Sequence, residues 1–219
     1  YHRIDSAARA KGETPEYKPE MQALLPVLRG EAALLIEVDR ENDIKQALKW
    51  IEERQIEKAV LTGVAEGWRV AGEIAAAGIP VITGPVLSTP TRASDRYDRP
   101  YANAGLMAKA GVKVAIRTND TENVRNLPYN AGFAAAYGMG KEEALRAVTL
   151  TPAEIFGVAG RMGSLEVGKD ATLFVSTGDP FETKTDFVHI FIDGWKIPMA
   201  SRHIRLYNEF LERQPGLED

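Results

Sequence analysis

The sequence contains no cysteine, which excludes disulfide staples, thiolate metal sites and cysteine nucleophiles within these residues. Histidine is scarce too: only His2, His189 and His203 occur, so a centre built from several imidazoles has little to draw on. Positive charge is not in excess. Lysine and arginine number 27 against 31 aspartates and glutamates, a net charge of -4, and nucleic acid, which asks for a basic face, is not an expected partner. No uninterrupted apolar stretch approaches the roughly 18 residues that a membrane-spanning helix needs. With no methionine before Tyr1, the chain reads like a processed or truncated product. Any signal peptide would lie upstream, so the compartment, cytoplasmic or exported, stays open.

What is present has the profile of a globular protein, with 44% hydrophobic and 26% charged residues. From about residue 31 short apolar runs alternate with amphipathic stretches. Strands are predicted over Ala33–Val38, Lys58–Thr62, Pro80–Thr83 and Val112–Ile116, each too short for a helix and suited to a buried parallel sheet. Helices are predicted over Asn42–Arg54, Trp68–Ala77 and Tyr101–Ala110, then Leu127–Tyr137 and Lys141–Val148. The stretch Gly84–Arg99, with Pro85 and Pro90 among Ser, Thr and Asp residues, reads as a long loop. Strand–helix units in series imply a parallel sheet with right-handed crossovers. A closed eight-unit barrel takes ~250 residues, so the text supplies about half of one.

After Thr151-Pro152 the pattern becomes turn-rich. Strands are expected at Thr172–Val175 and Asp186–Ile192, the second running into an Asp193-Gly194 hairpin signal, and a last helix at Ser201–Arg213. The expected organisation is a helical or linker segment over 1–30, a partial barrel over 31–160, β-sandwich strands over 161–200, and a helix with its tail over 201–219.

Four strings carry a family resemblance, in order along the chain: Lys141-Glu142-Glu143-Ala144-Leu145-Arg146-Ala147-Val148-Thr149-Leu150-Thr151-Pro152-Ala153, Gly163-Ser164-Leu165-Glu166-Val167-Gly168-Lys169-Asp170-Ala171, Gly178-Asp179-Pro180 and Phe191-Ile192-Asp193-Gly194. The first resembles the final barrel helix of the amidohydrolase superfamily, and the others its C-terminal β-sandwich; imidazolonepropionase-like and prolidase-like members look most similar. The resemblance implies an α/β fold: the C-terminal half of a TIM-like (β/α)8 barrel, then part of a small β-sandwich and a C-terminal helix. It also implies hydrolysis of C–N bonds in non-peptide or dipeptide-like amides. The alternative is a catalytically degenerate homologue that binds or supports without metal. The partner implied is the N-terminal half of the same protein, or a second copy of the chain, beside a small-molecule substrate.

In that family one or two divalent metals such as zinc, held at the C-terminal ends of the strands, acidify a water for attack. The resemblance places the four strands here as strands 5 to 8. Where relatives carry His-x-His-Arg after strand 5, this sequence reads Glu37-Val38-Asp39-Arg40, with Glu37 at the ligand position. Glu37 could bind a hard ion, pair with Arg40, or lie solvated at the barrel mouth. The strand 6 histidine falls on Gly63, which has nothing to ligate with. The strand 8 acid falls on Asn119, with Asp120 one residue late; Asp120 is either the proton-moving acid or a cap for the next helix. Arg125 and Asn126 follow and could hold a substrate carboxylate, or simply open a helix. The expected site is thus Asp120 as catalyst with Glu37, Asp39, Arg40, Asn119, Arg125 and Asn126 around the substrate, and no metal ligand from this chain.

Overall fold

The parallel sheet forms where apolar runs are flanked by helices that bury both sides of the ladder. The computed structural model describes residues 1–213; the end of the expected tail, 214–219, lies outside them. The strands are β1 (Leu34–Val38), β2 (Ala59–Gly63), β3 (Val81–Thr83) and β4 (Val114–Ile116), ordered β1-β2-β3-β4 with every pair parallel. β2 is buried at all five positions, as a central strand should be, whereas β1, at the edge, alternates. An α/β fold with a parallel sheet therefore stands, as the sequence implied.

The register pairs Leu34 with Ala59 and Leu61 with Val81. Because side chains alternate across a pleated sheet, Ile36, Leu61, Val81 and Val114 share one face and Glu37, Thr62, Ile82 and Ala115 the other. Helices cover the first face. Preceding the sheet are α1 (His2–Ala10), α2 (Pro19–Gln22) and α3 (Leu25–Leu28), followed after β1 by α4 (Glu41–Arg54) and after β2 by α5 (Ala71–Ala77). α6 (Arg99–Lys109) precedes β4; α7 (Leu127–Ala134), α8 (Lys141–Val148) and α9 (Leu150–Ile155) follow it. Ile44 and Ile51 of α4, Ile74 of α5 and Met107 of α6 join the strands in one core. The second face is thinly covered at its edge: Leu35 remains 49% exposed.

Several boundaries moved, each for a local reason. Trp68 lies in a 3-10 turn, Gly67–Arg69, before α5. The turn is tight because Gly67 packs against Met107, where a Cβ would lie 2.4 Å from the sulfur. α6 starts before Tyr101 because Pro100, with its preset φ, suits a first helical turn. The helix expected to reach Tyr137 stops at Ala134 and runs into a wider π turn ending at Met139, with Gly138 at φ +112°. Thr151 and Pro152 do not end the helical part; they sit in α9.

The β pieces beyond residue 160 form a three-stranded antiparallel sheet of β5 (Leu173–Ser176), β6 (Phe187–Ile192) and β7 (Trp195–Ile197). Asp193 and Gly194, both at positive φ, turn β6 into β7 as that dipeptide suggested. α10 (Arg202–Arg213) follows and has no buried residue. Among the described residues no helix is long and apolar enough to cross a membrane.

Candidate functional site

The C-terminal ends of the four strands surround a cavity of about 380 Å³, with Glu37, Gly63, Thr83 and Arg117 contributing one wall from each strand end. Alternation puts Glu37 and Arg117 on the same face of the sheet, two residues past or level with Leu35 and Ala115. They meet across it. Arg117 donates to Glu37 Oε1 from Nη2 at 2.9 Å and to Oε2 from Nη1 at 3.5 Å, joining the ends of the two outermost strands. Thr62 donates to the same Oε2 at 3.3 Å. Hydrogen bonding from Arg117 and its charge, against a smaller effect of burial, hold the Glu37 carboxyl below its ordinary range. Glu37 is thus paired, though with Arg117 rather than Arg40.

Gly63 explains itself. Its φ is +81°, and a Cβ there would lie 2.5 Å from Asp39 Oδ1. Asp39, on the segment after β1, takes the space that a side chain at 63 would need. The two strand ends are laced together behind it: Val64 N–H donates to Val38 O at 2.7 Å and Glu66 N–H to Asp39 O at 2.8 Å.

Glu66 is a buried acid behind the cavity wall and was not singled out from sequence. Its side chain is 1% exposed. Oε1 accepts from Arg92 Nε at 2.6 Å and Thr91 Oγ1 at 2.8 Å, and Oε2 from Arg92 Nη2 at 2.5 Å and Glu41 N–H at 2.9 Å. Burial pushes this carboxyl up, but the donors from Arg92, the Glu41 backbone and Thr91 outweigh it and bring it to about 2. Glu66 therefore fastens three walls of the cavity, the end of β2, the start of α4 and the loop after β3. Its only advance signal was a glutamate just beyond a buried strand, where an acid needs a partner.

Asn103 of α6 fixes the floor. Its Oδ1 accepts from Trp68 N–H at 2.9 Å, and its Nδ2 donates to Val64 O at 2.9 Å and Thr83 Oγ1 at 3.3 Å. Trp68 lines the cavity, with the guanidinium of Arg69 4.1 Å and that of Arg99 4.6 Å from its ring centroid. Arg69 is itself ion-paired to Asp95.

The expected site residues divide. Glu37, Asp39, Arg40 and Asn119 line the cavity. Asp120 does not: its Oδ1 accepts from the N–H groups of Glu122 at 2.8 Å and Asn123 at 3.1 Å, and its Oδ2 from Asn123 Nδ2 at 2.7 Å. Those bonds, Asn123 first, hold the carboxyl below its usual range; they close the loop that precedes the 3-10 turn Val124–Asn126 without capping that turn. Asn119, at φ +52°, makes the bend that sends the two side chains different ways. Arg125 and Asn126 also lie off the cavity wall; the Asn126 carbonyl accepts from Asn130 Nδ2 at 2.9 Å.

These donors do not suit a divalent ion. Glu37 is committed to a guanidinium, Gly63 has no ligand and no room for one, and Asp120 is turned away. Among the described residues no three His, Cys, Asp or Glu side chains cluster as a metal site. His2, His189 and His203 sit in α1, β6 and α10, away from the strand ends.

A sequence profile described as the amidohydrolase family matches residues 40–196. An imidazolonepropionase of Syntrophobacter fumaroxidans is 39% identical over 84 residues, 36% of this chain and 20% of that protein. The crystal structure of an amidohydrolase from Thermotoga maritima MSB8 superposes with a TM-score of 0.81 at 28% identity, covering 90% of this chain and 52% of that one. A prolidase complexed with N-methylphosphonate-L-proline shares the fold, with a TM-score of 0.61 at 18% identity, over 84% of this chain and 50% of that one. The chain therefore spans a fifth of that curated relative and about half of these solved structures.

Proposed function

The chain belongs to the amidohydrolase family, and from that premise we propose that it supplies strands five to eight of a (β/α)8 barrel, forming the half that binds a small-molecule substrate. Residues 31–160 are that half barrel, and 161–200 are part of a β-sandwich, followed by the helix and tail of 201–219. The N-terminal half of the same protein, or a second copy, completes both; the half-exposed Leu35 on the open sheet face supports this. In the family reading the protein hydrolyses a C–N bond in an amide or dipeptide-like substrate. Glu37, Asp39, Arg40 and Asn119 are the substrate contacts of this half.

When bound, the family's divalent metal supplies a nucleophilic hydroxide near neutral pH. In this protein any such ion rests on donors from the other half, since the strand ends described here do not fit one. The role given to Asp120 changes accordingly: its carboxylate positions the loop after β4.

One observation favours the second reading, a homologue that binds without metal. The Glu37–Arg117 pair puts a fixed positive charge, already neutralised, between the outermost strand ends. Metal analysis of the intact protein by plasma mass spectrometry decides between the two. The second reading expects no stoichiometric metal and no hydrolysis of dipeptides or N-acyl amino acids. Stoichiometric zinc with turnover would restore the hydrolytic reading.

A further inference from the structure

A second cavity, about 590 Å³, lies on the outer flank of α7, whose inner side is marked by the buried Ala131 and Ala134. Tyr129, Phe133 and Tyr137 line it at intervals of four, so they form an aromatic stripe along one side of α7 and the π turn that follows. Phe133 remains 42% exposed, so the stripe is not spent on the core. Tyr101 of α6 backs it, its ring centroid 5.5 Å from that of Phe133 and 5.0 Å from that of Tyr137. The facing wall is a loop that is held in place. Gly132 lets it approach: a Cβ there would lie 3.0 Å from Phe181 Cβ. Asp179 then fixes the loop, its Oδ2 accepting from Lys141 Nζ at 2.6 Å, its Oδ1 from Phe181 N–H at 2.9 Å and its carbonyl from Thr185 Oγ1 at 2.6 Å.

Phe181 is thereby set as a fourth ring of the wall, and the next residue, Glu182, stands exposed at the mouth. Among the described residues the Glu182 side chain forms no ion pair or hydrogen bond, whereas Lys141 is paired with Asp179. The charge left over at the mouth is therefore negative. The face of an aromatic ring attracts a cation, and a free carboxylate beside it attracts the same ligand. The geometry points to a binding site for a small organic cation of the quaternary ammonium class, with its alkyl groups against Tyr129, Phe133, Tyr137 and Phe181 and its charge near Glu182. An anion would be repelled by Glu182, and a neutral apolar ligand would gain nothing from it. The volume falls within the range of small-molecule pockets. This site shares no lining residue with the strand-end cavity and stands whether or not that cavity hydrolyses anything.

Ligand-observed NMR titration of the intact protein with choline and with its uncharged carbon isostere, dimethylbutanol, tests the proposal, since the two have the same shape and differ in charge. Choline should bind at least about fivefold more tightly. Phe133→Leu and Glu182→Gln, both at exposed positions, should each lower that ratio about twofold while the alcohol changes little. The double variant should bring the ratio near one, with circular dichroism verifying that it folds. Asp39→Asn neutralises a strand-end acid that has only a long contact, 3.4 Å, from Ala65 N–H, and it should leave the ratio as it is. Equal affinity for the two ligands, a ratio that survives the double variant, a ratio abolished by Asp39→Asn, or no binding of choline at tens of millimolar would overturn the assignment.

Discussion

Replacing Glu66 with glutamine keeps the side chain's volume and removes its charge, so it isolates what the carboxylate does. In the native protein that carboxylate accepts four hydrogen bonds and is lowered from an ordinary 4.5 to about 2. A displacement of that size corresponds to at most ~3.4 kcal/mol. Arg92 is 44% exposed, and solvent screening brings the expected loss to about 2 kcal/mol at pH 7. For a protein of this size that is a melting point lower by ~4–8 °C. The folded value lies below the ordinary one, so this stability is complete above about pH 4.5 and disappears as pH falls from there towards 2. Urea titrations of the native protein and Glu66→Gln at several pH values should show a gap that closes across that window. A gap below about 0.5 kcal/mol at pH 7, or one just as wide at pH 3, would refute the clamp.

Two further substitutions probe the frame of the cavity. Asn103→Ala strands the Trp68 N–H and the Val64 carbonyl in a buried setting and should cost ~2–3 kcal/mol in urea denaturation; a loss under 1 kcal/mol would contradict the role given to it. Gly63→His, which places an imidazole at the end of β2, should destabilise by about 2 kcal/mol, from the positive φ and the collision with Asp39. It should take up no zinc in plasma mass spectrometry.

The sheet was legible because buried parallel strands read as apolar runs bounded by turns, and Ala33–Val38 and Val112–Ile116 are such runs. The site was legible only in part. Glu37, Asp39, Arg40 and Asn119 were expected because they stand at or just beyond strand ends, and those ends line the cavity. Arg117 carries a signal of its own in the sequence: it lies two residues beyond Ala115 and so shares the face of Glu37. Asp120 was the harder case. Its one-residue displacement could mean a bulge toward the cavity or a turn away from it, and the positive φ of Asn119 goes with a carboxylate that bonds its own loop. Glu66 stood in plain sequence, but its partner Arg92 is 26 positions away in an irregular loop, a pairing that no periodicity encodes.

The space Asp39 takes above Gly63 also bears on how the two positions can change over generations. An imidazole at 63 collides unless 39 first becomes small, and a small residue at 39 gives up the site's unpaired acid. Each single step is penalised and only the pair together is tolerated, so the exchange works as a ratchet. A library randomised at both positions, sorted for folded protein, should return a bulky residue at 63 only alongside glycine or alanine at 39.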